Sequence, residues 1–252
     1  MNSEMLFVFV AITMSKSVED IRFQRALKSV GKAREFGYPF IIVDGSPAPE
    51  AADMLRDRGA IVYRQQTKGM GPARREAVFY ALEHCKMLGI KVIQFTEPEK
   101  DDYIRFASNT AEPILSGRAE IVLSRRTVAS CKTYPLFQQE QEIIMLAAYA
   151  KALRMPEANS YLGPIAFSVV TAGKYVLLQN PLEYGIEDTY VQTYAPILAR
   201  KDGVKVVASE EFDFQYPPEQ RAEEEGVLDG AMRAKRIWQT KSLMDAFDKL
   251  TR

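Results

Sequence analysis

Cysteine, histidine and tryptophan are scarce in this 252-residue chain: two, one and one. Cys85 and Cys131 lie in unrelated segments without metal-type spacing. That speaks against a disulfide framework and suits a reducing compartment, so a cytoplasmic location is expected. Net charge is missing as well, since 33 Lys plus Arg balance 33 Asp plus Glu. No global field then draws the chain onto nucleic acid or an anionic membrane, and any phosphate must meet a local site. No apolar run reaches the roughly 20 residues of a membrane span. The nearest candidate, LFVFVAI at 6–12, follows Glu4 without a basic residue and reads as a buried first strand, not a targeting segment. Repeats and low-complexity segments are absent too. What remains, 47% apolar and 26% charged, is long enough to bury its own core.

Its pattern is an alternation of apolar runs and helical segments. A strand over 5–13 precedes a helix of about 18 residues from Ser17, whose Ser-x-x-Asp start (Ser17, Asp20) resembles a capping box. Gly37 and Pro39 end that helix. YPFIIVDGSP is a second strand, EAADMLRDRG a helix stopped by Gly59, AIVYRQQ a third strand and TKGMG a glycine loop. From Pro72 a further helix leads to a fourth strand, IKVIQF. Beyond it, a helix from Asp102, the strand AEIVLSRR, an amphipathic helix over 138–154, NSYLGPIAFS, VKVVASEEFDFQYP and a basic helical segment over 230–250 continue the alternation. The fold expected is one α/β domain over 1–252, Rossmann-like, with a mostly parallel central sheet and flanking helices. Residues 1–105 form a first half and 106–252 a second. In such sheets ligands collect beyond the carboxyl ends of the strands.

Four polar clusters fall at strand exits: 13–16, Asp44-Gly45-Ser46, 65–71 and 97–102. Asp44 with Gly45 is either turn chemistry or a carboxylate for a base or ribose. Lys68-Gly69-Met70-Gly71-Pro72, followed by Arg74 and Arg75 at a helix start, offers N–H groups, a favourable dipole and three cations to a diphosphate. Its spacing fits neither Walker A nor the dinucleotide GxGxxG. FTEPEKDDY brings Glu97, Glu99, Asp101 and Asp102 together as a metal site or a charged loop, with Asp101 and Asp102 placed to open a helix.

In this order the clusters resemble the GT-A fold nucleotide-sugar glycosyltransferases, particularly family 2. Val43-Asp44-Gly45-Ser46 is similar to that family's Asp-Asp-Gly-Ser turn, with valine for the first acid. Lys68 to Arg75 is similar to its GxGxARN segment, with arginine for asparagine. Glu97-Pro98-Glu99 stands in the slot of its metal-binding Asp-x-Asp, a clear departure. The resemblance implies a UDP- or GDP-sugar donor contacted by Thr13, Asp44, Gly45, Ser46, Gln66, Lys68, Gly69, Arg75 and Glu97. It also implies Mn²⁺ or Mg²⁺ held by Glu99 and Glu97. The family's third metal ligand is often a histidine, but His84 lies inside a helix, so Asp213 is the candidate in its place. Asn159, Ser160 and Tyr161 fall in the acceptor region. Glu187-Asp188 matches the family's base, with Asp188 first and Glu187 second, although the pair also suits a helix cap. Arg233, Arg236 and Trp238 are candidates to close over the diphosphate, with core packing the safer role for Trp238.

The activity expected is therefore transfer of a sugar, a hexose, from a nucleoside-diphosphate sugar to a hydroxyl acceptor, metal-assisted. Two alternatives stand beside it. A non-catalytic nucleotide-sugar-binding relative would tolerate the glutamates and Pro98. A sugar nucleotidyltransferase shares the sheet topology but opens with a glycine-rich loop after the first strand, and AITMSKSVED has no glycine.

Overall fold

A computed structural model describes residues 6–226 and 229–252; Met5, which opens the expected first strand, lies outside the described residues. The chain runs β1 (Phe7–Thr13), α1 (Ile21–Glu35), β2 (Phe40–Asp44), α2 (Glu50–Arg58), β3 (Ile61–Arg64), α3 (Met70–Leu88), β4 (Val92–Phe95) and α4 (Ala107–Leu115). It continues with β5 (Ile121–Arg126), α5 (Val128–Cys131), α6 (Leu136–Leu153), β6 (Tyr161–Ser168), α7 (Val169–Ala172), α8 (Val191–Lys201), β7 (Val206–Phe212), α9 (Pro218–Glu225) and α10 (Asp229–Thr251).

These strands form one seven-stranded sheet in the order β3-β2-β1-β4-β6-β5-β7. β1 to β4 pair in parallel, and β5 with β7 does too. Only β6 runs against its neighbours, inserted between β4 and β5. All five residues of β2 and all four of β4 are buried, because helices cover both sheet faces. One core cluster packs α3, α6, α8 and α10 on one face, while α1, α2 and α4 close the other.

The first helix starts later than expected. α1 begins at Ile21, not Ser17, because Asp20 is the cap and its carboxylate accepts from the Arg22 N–H at 2.7 Å. Ser17 instead accepts from the Glu19 N–H at 3.1 Å. Downstream of β4, Asp101 and Asp102 do open a helical segment, a tight turn over Asp101–Phe106 that leads into α4. Register then sets the site: Thr13 pairs with Asp44 and Asp44 with Arg64, so three strand exits stand side by side. Antiparallel β6 brings its first residue, Tyr161, to the same edge opposite Arg125.

Candidate active site at the carboxyl edge of the sheet

Asp44, at the end of β2, is fully buried. One carboxylate oxygen accepts from the Thr13 hydroxyl at 2.8 Å and the Ser46 N–H at 3.1 Å. The other accepts from Arg64 at 2.5 Å. Through these bonds Asp44 holds the turn and ties together the exits of β1, β2 and β3. Ser46 is likewise internal, its hydroxyl accepting from the Ser15 N–H at 3.0 Å. A Cβ at Gly45 would collide with the Gln65 amide oxygen, so this turn and the β3 exit are in contact.

The glycine loop also answers to groups of its own chain. Glu76 accepts from the Gln66 N–H at 3.0 Å and from that of Thr67, while the Gln66 amide donates to the Arg64 carbonyl at 2.9 Å. Gly69 caps α3 with φ 110°, a backbone that favours glycine. Lys68 is exposed. Arg75 grips Asp188 with both terminal nitrogens, one at 2.8 Å. A Cβ at Gly71 would run into that same carboxylate, so Asp188 lies against the first turn of α3. Asp188, the expected base, thus has both carboxylate oxygens engaged by the Arg75 guanidinium in this structure. Arg74, buried beside it, donates to the Thr189 carbonyl and lies 5.2 Å from the Tyr190 ring centre, without a carboxylate partner among the described residues.

Glu97 and Glu99 leave β4 into a cleft with about 970 Å³ of empty space, its mouth included. Lys100 follows them and reaches back, its Nζ 2.6 Å from Glu97 and also donating to the Leu162 carbonyl. Gly163 makes room for this pair: φ is 120°, and a Cβ there would stand 2.7 Å from Lys100 Nζ and 3.0 Å from Glu97 Oε1. Burial pushes the Glu97 carboxyl up, but Lys100, Arg236 and Arg74 outweigh it and hold the group below the usual range. Burial and the charge of Glu97 push Glu99 the other way, above it.

The far wall comes from α6 and α10. Gln138, Gln141, Glu142, Met145, Leu146 and Tyr149 follow helical spacing along one face of α6, and all line the cleft. Apolar positions of this helix read as core in the sequence. The signal available was the run of glutamines and glutamate sharing their face, polar groups where a core-facing helix would carry none. Glu142 is paired with buried Arg126, whose guanidinium lies 4.2 Å from the Tyr134 ring centre. From α10, Arg236 donates to Gln138 and Gln239, each at 3.0 Å.

Several expected groups stand elsewhere. Of the acceptor trio only Tyr161 lines the cleft; Ser160 accepts from Arg125 at 2.9 Å and Asn159 is exposed. Asp213 bonds Gln215 at 2.8 Å beyond β7, and no group of three His, Cys, Asp or Glu among the described residues is set to hold a metal, so Asp213 does not complete the Glu97–Glu99 pair. Glu187 accepts from Ser242 at 3.1 Å at an exposed position. Trp238 is 48% exposed, which overturns core packing, and Arg233 is tied to Asp229 at 2.8 Å. His84 meets the Tyr63 hydroxyl at 2.9 Å.

For a divalent ion, Glu97 and Glu99 are hard oxygen donors whose mutual repulsion a cation would relieve, and Glu99 has no ion-pair partner among the described residues. The pair fits a metal completed by ligand or water oxygens, with Lys100 competing for Glu97.

No protein-family profile matches the sequence. No curated protein matches it either. Solved structures do. One is glucosyl-3-phosphoglycerate synthase from Mycobacterium tuberculosis in complex with Mn²⁺, UDP and phosphoglyceric acid, at TM-score 0.51 and 13% identity, covering 94% of this chain and 78% of that one. Mannosyl-3-phosphoglycerate synthase from Rubrobacter xylanophilus matches at 0.50 and 15%, covering 92% and 72%. A cytidylyltransferase from Leptospira borgpetersenii matches at 0.50 and 10%, covering 95% and 97%. Sheet order and these likenesses together give the chain the GT-A fold of the nucleotide-diphospho-sugar transferases.

Proposed function

We propose that the chain is a glycosyltransferase, taking a hexose from a UDP- or GDP-sugar to a hydroxyl acceptor, with Mn²⁺ or Mg²⁺ at Glu97 and Glu99. The observation that carries this is the Glu-Pro-Glu turn at the end of β4: two carboxylates at the sheet's carboxyl edge, opening into a cleft walled by the second half of the chain. A structural neighbour bearing Mn²⁺ and UDP supports the donor and metal classes. When bound, the metal supplies positive charge to a leaving diphosphate. Lys100, and Arg74 with no carboxylate partner among the described residues, add to that charge from the protein side. Lys68 and the first turn of α3 remain the contacts proposed for the diphosphate, and the Thr13 to Ser46 turn with Gln66 the rim for the base. Tyr161 is the acceptor-side contact retained.

A second reading, a nucleotide-sugar binder without turnover, is favoured by the Arg75–Asp188 tie, which leaves the expected base engaged. Isothermal titration with UDP, GDP and their sugars, with and without Mn²⁺, tests the first reading. Saturable binding is expected, strengthened by Mn²⁺ and weakened about tenfold or more in Glu99→Ala. No binding in any combination sinks it; binding without release of nucleoside diphosphate in the presence of acceptors selects the second reading.

A further inference from the structure

Buried polar atoms almost always find partners, because an unpartnered one forfeits its hydration. Around this cleft the rule is broken repeatedly. The Tyr134 hydroxyl, the Tyr149 hydroxyl, the Gln192 amide oxygen, the Gln220 amide oxygen and Arg236 Nε are all buried and without a partner among the described residues, and all five side chains line the cleft. They come from four helices, α6, α8, α9 and α10, and from the loop before α6, so the pattern belongs to the cleft and not to one element.

The kinds of atom restrict what would satisfy them. An amide oxygen only accepts, a guanidinium N–H only donates, and a phenol does both. Gln220 is held in this orientation, since its Nε2 donates to the Tyr216 hydroxyl at 2.8 Å and to Glu224 at 3.2 Å. A phosphate or carboxylate would face the Gln220 amide oxygen lone pair to lone pair. Of the nearby cations, Lys100 is answered by Glu97 and Arg126 by Glu142, while Arg236 meets the neutral amide oxygens of Gln138 and Gln239. Hydroxyl groups, each a donor and an acceptor, meet amide oxygens, N–H groups and phenols together. Aromatic surface stands beside these tips, with Tyr149 5.4 Å from Tyr161 and 5.1 Å from Phe247, and Tyr134 4.4 Å from Tyr216, as ring centres. Polar tips next to rings suit a ligand with C–H faces and O–H edges.

We infer that the inner wall of the cleft is a subsite for an uncharged, hydroxyl-rich ligand, a sugar or polyol, bound by Tyr134, Tyr149, Gln192, Gln220 and Arg236. Under the transferase reading, on which its role rests, the ligand is a neutral acceptor or the sugar of the donor. The subsite itself stands on the unpartnered atoms.

Saturation-transfer NMR followed by titration separates these cases, using neutral monosaccharides, disaccharides and polyols, their phosphorylated counterparts, and UDP- and GDP-sugars. Wild type is compared with Tyr149→Phe and Gln192→Met. At least one free neutral sugar or polyol is expected to bind, about three- to tenfold more weakly in each variant. The unliganded variants are expected to melt at the wild-type temperature or about 2–4 °C above it, because each loses a group that had no partner. Binding of the free sugar marks an acceptor subsite; a neutral sugar that binds only as part of a nucleotide sugar, with the same loss in both variants, marks the donor's sugar. Binding of phosphorylated ligands alone overturns the inference, as does a panel without any binding. Variants that melt lower while binding is unchanged overturn it too, since these groups would then serve the fold through water. If neutral sugars bind and no nucleotide does, the subsite stands and the transferase reading falls.

Discussion

Glu97 and Glu99 stand two positions apart and are driven in opposite directions, Glu97 down by its cations and Glu99 up by burial and by Glu97. The sign of the consequence follows. Glu97, with a depressed folded value, contributes stability above its ordinary range and loses it as pH falls through the folded one. For Glu99 the folded value is raised, so its protonated form suits the fold, and its cost appears as pH rises out of the acid range. Glu99→Gln is expected to stabilise the unliganded protein at pH 7, because it removes a carboxylate whose charged form burial and Glu97 disfavour. The gain should vanish below about pH 4, where the wild-type carboxyl is protonated. Urea denaturation across pH reads this, and a gain that persists unchanged in acid would reject it. Saturating Mn²⁺ should reverse the order at pH 7, because the ion stabilises only the chain that keeps both carboxylates.

At the level of elements, β6 pairs with β4 and makes room for the residues that leave it. Its third residue, Gly163, adopts φ 120° and leaves the space into which Lys100 and Glu97 project. Gly163→Ala would meet both a strained backbone and the ion pair, and a loss of about 1–3 kcal/mol is expected, with weaker nucleotide-sugar binding. Chemical denaturation and titration check the two together; an unchanged midpoint would show that the strand yields freely. The parallel half of the sheet was legible from sequence, because apolar runs, Gly59 and the loop before Pro72 punctuate it at the periods of strand and helix. The apolar run that becomes β6 was legible, but its reversal was not. NSYLGPIAFS carries the same apolar run whichever way it points, and direction is set by pairing with β4 and β5. The site was legible where strand exits carry it, at Glu97 and Glu99. It was hidden where a partner lies far along the chain: Arg64 for Asp44, and α6 and α10 for the cleft wall.

Across the whole molecule, the Arg75–Asp188 contact joins the first turn of α3 to the segment before α8, 113 positions later. Both side chains are about one-fifth exposed, 20% and 21%, so the pair is shielded enough to matter and wet enough not to be ruinous if broken. It also determines whether Asp188 serves as a base. If the contact is a tie between halves, Arg75→Ala and Asp188→Asn each destabilise, and the double variant is little worse than either, giving a coupling of about 1–3 kcal/mol in a double-mutant cycle. Donor turnover should then fall no more in Asp188→Asn than in Arg75→Ala, because both act by loosening the same joint. A base would behave otherwise. Asp188→Asn would slow the chemical step by about 10²-fold or more, while Arg75→Ala, which leaves the carboxylate in place, would cost far less turnover. Stability and turnover measured on the same four proteins separate the two, and the bidentate geometry favours the tie.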